Sequence, residues 1–181
     1  MIIAQRESAI LRFAKEDDMP RIDELTIICY TAIFESWVES LTKEVYDGIY
    51  RNPELTWEES KTRQNHTVFS EHPEWVWVLE KDEQVIGYVT FRLRPERNFG
   101  VIENNAVDPA YAGRGLGRFM YQHVLQHFRN QGLRFAHVET GLDSPHLAAR
   151  KAYEAVGFDR MAPIALYWQD LTKKNPGSTP D

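Results

Sequence analysis

The stretch from Val101 to Phe128, VIENNAVDPAYAGRGLGRFMYQHVLQHF, restricts the possible architecture more than any other part of the chain. A strand-like run ends at Asp108-Pro109, a loop follows with glycines at Gly113, Gly115 and Gly117, and a helical pattern begins at once. Glycine permits positive φ and close approach of the backbone to a ligand. The first turn of the helix adds N–H groups without intrahelical partners and a partial positive charge. Arg114 and Arg118 bring two cationic side chains to the same place, and the ensemble is the outline of a cradle for a diphosphate. A lone glycine turn is often only a tight connection; alternating glycines beside two arginines favour a ligand. A dinucleotide fingerprint would need glycine at 113, 115 and 118, and position 118 is arginine. Glu139 falls near the distance expected of a ribose-binding acid, yet the gap from Val107 to Gly113 is too long for the tight first turn of such a fold.

The rest of the chain arranges itself around this unit. Ser8 to Ala14 reads as a first strand, and Glu16, Asp17 and Asp18 before Pro20 form an acidic helix start. Ile22, Leu25, Ile28, Cys29, Ala32 and Ile33 continue at helical spacing. Phe34 to Tyr50 and Leu55 to Phe69 read as further helical segments, broken near Asn52-Pro53, where the residue before proline is biased out of helix. Trp37, Tyr46, Tyr50 and Trp57 lie here, a set suited to core packing or to substrate selection. Trp75 to Glu80 and Val85 to Leu93 alternate as a hairpin, and Phe99 to Val107 supplies the next strand. After the helix that starts at Gly115, Gly132 marks a C-terminal cap and Leu133 to Thr140 forms a strand, completing a βαβ unit. A helix from Asp143-Ser144-Pro145 stops at Gly157, and Phe158 onward, with Ala165 to Leu171, supplies the last strands. The expected fold is therefore mixed α/β: a central, mostly antiparallel sheet with one βαβ unit, flanked by helices. Residues 1–172 form one domain on this reading, and the polar tail 173–181 is disordered.

Composition narrows the function. A formal charge of −6 argues against nucleic acid or an anionic membrane as the main partner. No apolar run approaches a membrane span and the first residues lack the features of a signal peptide, so a cytoplasmic location is expected. The single Cys29 agrees with a reducing compartment and sits in an apolar helical run, as a core thiol would. His123 and His127 stand four apart on the apolar arc of their helix, but they lack the intervening glutamate of a zinc-protease helix and an evident third ligand. No metal site is expected.

Two motifs, in this order, resemble the GNAT superfamily of acetyl-CoA-dependent N-acetyltransferases. VDPAYAGRGLG, Val107 to Gly117, is similar to the family's strand, loop and helix around Gln/Arg-x-x-Gly-x-Gly/Ala; HLAARKAYEAVGF, His146 to Phe158, is similar to its helix ending in Tyr-x-x-x-Gly-Phe. Ala112 stands where the family usually has glutamine or arginine, and His146 where many members carry asparagine. The resemblance covers most of residues 8–171. It implies acetyl-CoA as cosubstrate and no metal. Ala112, Gly113, Arg114, Gly115, Leu116, Gly117 and Arg118 would hold the pyrophosphate, backbone atoms near Ala106 and Val107 would pair with the pantetheine amides, and His146 would stand close to the cofactor.

The implied activity is transfer of acetyl to a primary amine of a small molecule by direct attack in a ternary complex. The alternatives are a peptide or protein amine as acceptor, and a domain of the same fold that senses acyl-CoA without turnover. The resemblance makes Tyr153 the proton donor to the departing thiolate. Glu103, on the strand entering the loop, and Glu139, at the end of the strand after the helix, are the two candidates for the base. Neutral attack requires such a base, and Glu103 is slightly favoured because VIENNAV interrupts a central strand with polar residues. Asn104 and Asn105 would hydrogen-bond substrate or pantetheine. The resemblance leaves room for a homodimer.

Overall fold

The first two strands make a hairpin of which the sequence pattern revealed only half. In the computed structural model, which describes residues 1–49 and 54–172, β1 (Ile2–Arg6) pairs antiparallel with β2 (Ala9–Phe13). β1 has no clean apolar alternation and is half exposed, so it carries little of the signal that identifies a strand. The expected strand from Ser8 to Ala14 is thus β2, one residue shorter at each end. Arg12 of β2 is nearly buried. Its guanidinium donates to both carboxylate oxygens of Asp18, at 2.6 and 2.9 Å, and to Glu80 at 2.7 Å, tying β2 to the turn before the first helix and to the next strand.

α1 (Met19–Leu41) is one long helix with Pro20 in its first turn, where a missing N–H costs nothing. It runs past Phe34, where the sequence suggested a new segment, because neither glycine nor proline intervenes before Thr42. It buries Met19, Ile22 and Leu25, whereas Ile28, assigned to the apolar face by spacing, is exposed. α2 (Lys43–Ile49) follows. The break expected at Asn52-Pro53, together with Tyr50, lies outside the described residues, as does the tail 173–181. α3 (Trp57–Glu71) begins two residues later than expected because Thr56 and Glu59 form a capping box: Glu59 N donates to Thr56 Oγ1 and Thr56 N to Glu59 Oε2.

β3 (Val76–Lys81) and β4 (Gln84–Arg94) form the expected hairpin about Asp82 and Glu83, both at positive φ. β5 (Phe99–Val107), α4 (Leu116–Asn130), β6 (Phe135–Val138) and α5 (Leu147–Glu154) complete the fold. The six strands lie in sequence order, every neighbour antiparallel except β5 and β6, which are parallel as a βαβ unit requires. The strand expected over Leu133 to Thr140 is cut to four residues. The strands expected from Phe158 onward, including Ala165 to Leu171, do not form; residues 158–170 carry no strand and Tyr167 is 91% exposed. Favourable composition does not make a strand without a paired edge to lie against.

The sheet divides the core in two. On one face Met19, Ile22, Leu25 and Val68 of α1 and α3 pack on Val76, Val78, Val85, Tyr88 and Ala106. On the other, Phe119, Met120, Val124 and Phe128 of α4, with Tyr153 of α5, pack on Leu11, Trp77, Leu79, Val89, Phe91 and Ile102. His123 and His127 lie at the margin of this layer, with His127 against Trp77 and Phe91 and His123 against Phe119; burial lowers the pKa of both.

Candidate active site

Three features of β5 build the site. The first is a bulge. Val89 faces Asn105 and Phe91 faces Ile102, so Thr90 alone stands opposite Glu103 and Asn104. Two residues against one reverses the alternation. Ile102 belongs to the α4 side of the core and Ala106 to the α1 side, while Glu103 and Asn104 both turn toward α3 and Asn105 turns toward α4 and α5. The polar triplet that interrupts a central strand is the residue pattern of this bulge.

The second feature is a free edge. β6 pairs with β5 only from Phe99 to Ile102 and then diverges. Beyond it, α1 faces the outward backbone atoms of β5: Tyr30 Oη accepts from Asn105 N at 3.2 Å and lies 3.5 Å from Asn105 O, and the Cys29 thiol donates to Val107 O at 3.5 Å. Ala106, in contrast, is buried, and its carbonyl turns the other way, against Gly87 of β4. The edge atoms therefore belong to Asn105 and Val107. Burial, with Tyr88 nearby, keeps the Tyr30 hydroxyl protonated, and burial beside Asp108 pushes the Cys29 thiol up to about 11.

The third feature is the loop. Asp108 Oδ1 accepts from Ala110 N at 2.8 Å, and Oδ2 accepts from Arg21 at 2.5 Å, so α1 holds the start of the turn. Gly113 (φ +74°) and Gly115 (φ +72°) adopt left-handed backbone, and Gly115 caps α4. Ala112, Gly113, Arg114 and Gly115 are exposed, Gly117 and Arg118 lie on the first turn with Arg118 exposed, and Leu116 is buried into the core as an anchor. Arg114 reaches back to Ala110 O and lies over the Tyr111 ring. Arg6 of β1 donates to Gly115 O at 3.0 Å, a third cation that sequence distance had hidden.

Tyr153, 5% exposed, faces the free edge from the α5 side. Asn105 Nδ2 donates to its hydroxyl at 3.0 Å, and Tyr121 donates to Asn105 Oδ1 at 2.6 Å. The phenolic oxygen thus accepts a bond and keeps its own proton to give. Burial raises its pKa, against the opposing effect of the bond from Asn105. Glu103 lies across the strand. Arg92 Nε bridges its two carboxylate oxygens at 3.0 and 3.2 Å, and it lines a cavity of about 450 Å³ with Asn104, Gln64, Arg63 and Leu55. Glu139 is exposed, just past the end of β6. His146 precedes α5 with Nδ1 2.6 Å from Asp143 Oδ1; the Asp143 carboxyl is held below its usual range because hydrogen bonds from His146 outweigh its partial burial. Tyr153 and Asn105 thus stand on one face of β5, and Glu103 and Asn104 on the other, with the glycine loop at its end.

The Acetyltransferase (GNAT) family model matches residues 31–158, more than half of the chain. The chain belongs to the GNAT acetyltransferase family. Solved structures agree on the fold. The ribosomal-protein-S18-alanine N-acetyltransferase from Escherichia coli is 18% identical at a TM-score of 0.56, over 85% of this chain and 79% of its own. The NatC complex bound to Gag peptide and CoA is 17% identical at 0.60, over 86% and 87%. An aminoglycoside acetyltransferase from an uncultured soil metagenomic sample, in complex with sisomicin, is 15% identical at 0.54, over 91% and 97%. No curated protein sequence matches. As a GNAT acetyltransferase the chain is an acyltransferase enzyme. Among the described residues, no cluster of three or more His, Cys, Asp or Glu is arranged around a metal position, and no helix is long and apolar enough to cross a membrane.

Proposed function

We propose that this GNAT enzyme transfers acetyl from acetyl-CoA to a primary amine of a small molecule, by direct attack in a ternary complex. The observation that carries the reading is the free edge of β5 with Tyr153 on one side and the cavity bearing Glu103 on the other. Pantetheine pairs along that edge as an added strand, taking the Asn105 and Val107 backbone atoms that Tyr30 and Cys29 now face. The pyrophosphate meets the N–H groups of α4 and the Arg6, Arg114 and Arg118 side chains. The amine approaches from the Glu103 side and attacks the thioester carbon; Glu103 takes its proton, directly or through water, and Tyr153 protonates the thiolate that leaves. Glu139, beyond the strand end, remains a second base for a larger acceptor.

The cavity volume of about 450 Å³ suits a small molecule. Two structural neighbours are a ribosomal-protein-S18-alanine N-acetyltransferase and the NatC complex bound to Gag peptide, so a peptide amine is the rival acceptor. The test is thermal unfolding with acetyl-CoA, CoA and NAD, followed by thiol release across polyamines, amino acids, aminoglycosides and short peptides. Stabilisation by both CoA compounds and thiol release with one small amine class is expected. Thiol release with peptides alone would replace the acceptor, and binding without any release would replace the enzyme by a sensor.

A further inference from the structure

Lys61 is an amine held beside the polar residues of β5 and the ring of Tyr30. It projects from α3 and donates to Asn104 Oδ1 at 3.3 Å and Gln64 Oε1 at 3.4 Å, two residues of the cavity wall. Its Nζ also lies 5.4 Å from the centroid of Tyr30, the ring whose hydroxyl meets the Asn105 backbone at the free edge of β5. The position is not an accident of a loose side chain. Asn104 Nδ2 donates to Asn65 Oδ1 at 3.0 Å, and Asn65 donates in turn to Thr26 and Tyr88, a buried polar chain that fixes the carbonyl on which Lys61 rests. Among the described residues Lys61 has no ion-pair partner, and the carboxylates whose charge acts on it are those of Glu103 and Glu139, the two candidate bases. Burial lowers its pKa below the ordinary lysine value despite those two carboxylates, which raises the share of neutral, nucleophilic amine.

We propose that Lys61 is itself an acetyl acceptor, so that the enzyme acetylates its own α3 from acetyl-CoA. The inference rests on the acetyl-CoA reading of the free edge. The Lys61 Nζ lone pair forms a bond to the thioester carbonyl carbon and the C–S bond breaks. Nitrogen gives up one proton to Glu103 or Glu139, and the thiolate takes one from Tyr153, leaving an amide and free CoA thiol with no change in oxidation state. The product carries no charge, so the amine beside Asn104 and Gln64 loses its cation and its contact with Tyr30, while Arg63 and Arg92 keep the cavity wall cationic.

The experiment incubates the purified chain with deuterated acetyl-CoA and no added amine, and follows thiol release and peptide masses over time. Exposed Lys43 and Lys151 serve as internal references for uncatalysed acetylation. Acetylation of Lys61 is expected at least about tenfold faster than at either reference, with about one equivalent of thiol per chain. Lys61→Arg should abolish that thiol burst, and Gly115→Glu should bring the Lys61 rate down to that of the references. Thermal shifts in the same samples separate the failures. A Lys61 rate equal to the references, or unchanged in Gly115→Glu, while acetyl-CoA still raises the melting temperature overturns self-acetylation alone. No stabilisation by acetyl-CoA removes the cofactor reading and this proposal together.

Discussion

Tyr153 is poised by what it accepts. Asn105 donates to its oxygen and Tyr121 orients Asn105 from the other side, so the phenol's own proton is not used in the bond with Asn105. Tyr153→Phe keeps the ring packing on Tyr121 and Phe158 and removes that proton. The expected outcome is a fall in kcat of about a hundredfold with the dissociation constant for CoA unchanged, measured by steady-state kinetics and calorimetry. Equal turnover would return Tyr153 to a packing role. The motif pointed to Tyr153 and the polar residues of a central strand to Glu103, and the two side chains lie on opposite faces of β5. Tyr30 and Arg6 were not: each meets its partner across a long sequence separation, Tyr30 at Asn105 and Arg6 at Gly115, and neither stands in a local pattern. Of the expected pair Ala106 and Val107, Val107 turns its carbonyl to the edge and Ala106 turns its own to β4, because a bulge shifts which residues point outward and spacing alone does not reveal a bulge.

At the scale of elements, the loop before α4 and the first hairpin make opposite demands. The loop must stay open to a ligand, and a side chain at Gly115 would start 3.0 Å from Arg6 at a backbone φ of +72°. Gly115→Glu should lose CoA binding through charge and steric conflict, at a stability cost of about 1–2 kcal/mol for the left-handed backbone. Isothermal titration with CoA and a denaturant melt check the two parts separately; full CoA affinity would sink the cradle. The hairpin instead depends on a closed ion cluster. Asp18 is partly desolvated, which alone would raise its pKa, but its bonds with Arg12 and the Lys15 N–H prevail and lower it. A carboxyl with a depressed folded pKa stabilises the fold above its ordinary range, about 4, and loses that contribution as pH drops through the folded value. Arg12→Leu strands Asp18 and should cost about 3–5 kcal/mol near neutral pH. The loss should shrink on acidification as Asp18 is protonated, so denaturant melts of parent and variant converge toward low pH; a pH-independent difference would show that packing, not charge, is what Arg12 supplies. Periodicity and turn chemistry made α4, the β3–β4 hairpin and β5 legible. The strand expected over Ala165 to Leu171 failed because β propensity describes a residue's fit to a sheet and not the presence of a partner edge.

For the whole molecule, a cofactor bound as proposed would be a staple across layers that are distant in sequence. The loop at α4 is held by Arg6 of β1 and, through Asp108, by Arg21 of α1, while the free edge of β5 is closed by Tyr30 of the same helix. A ligand lying along β5 and onto α4 therefore touches parts of the chain that the sheet already joins in one order from β1 to β6. If residues 1–172 fold as one cooperative unit, acetyl-CoA must stabilise all of it at once. At a concentration a hundredfold above its dissociation constant the ligand adds about 2.7 kcal/mol, which for a chain of this size moves the melting temperature by about 5–10 °C. Scanning calorimetry should show a single transition shifting by that amount with acetyl-CoA, and no shift in Gly115→Glu. Two transitions of which only the later moves would divide the β1–β4 meander from the β5–α4–β6 unit. The anchors that Arg6 and Arg21 throw across that boundary would then be too weak to couple them, and the loop's geometry would rest on the βαβ unit alone.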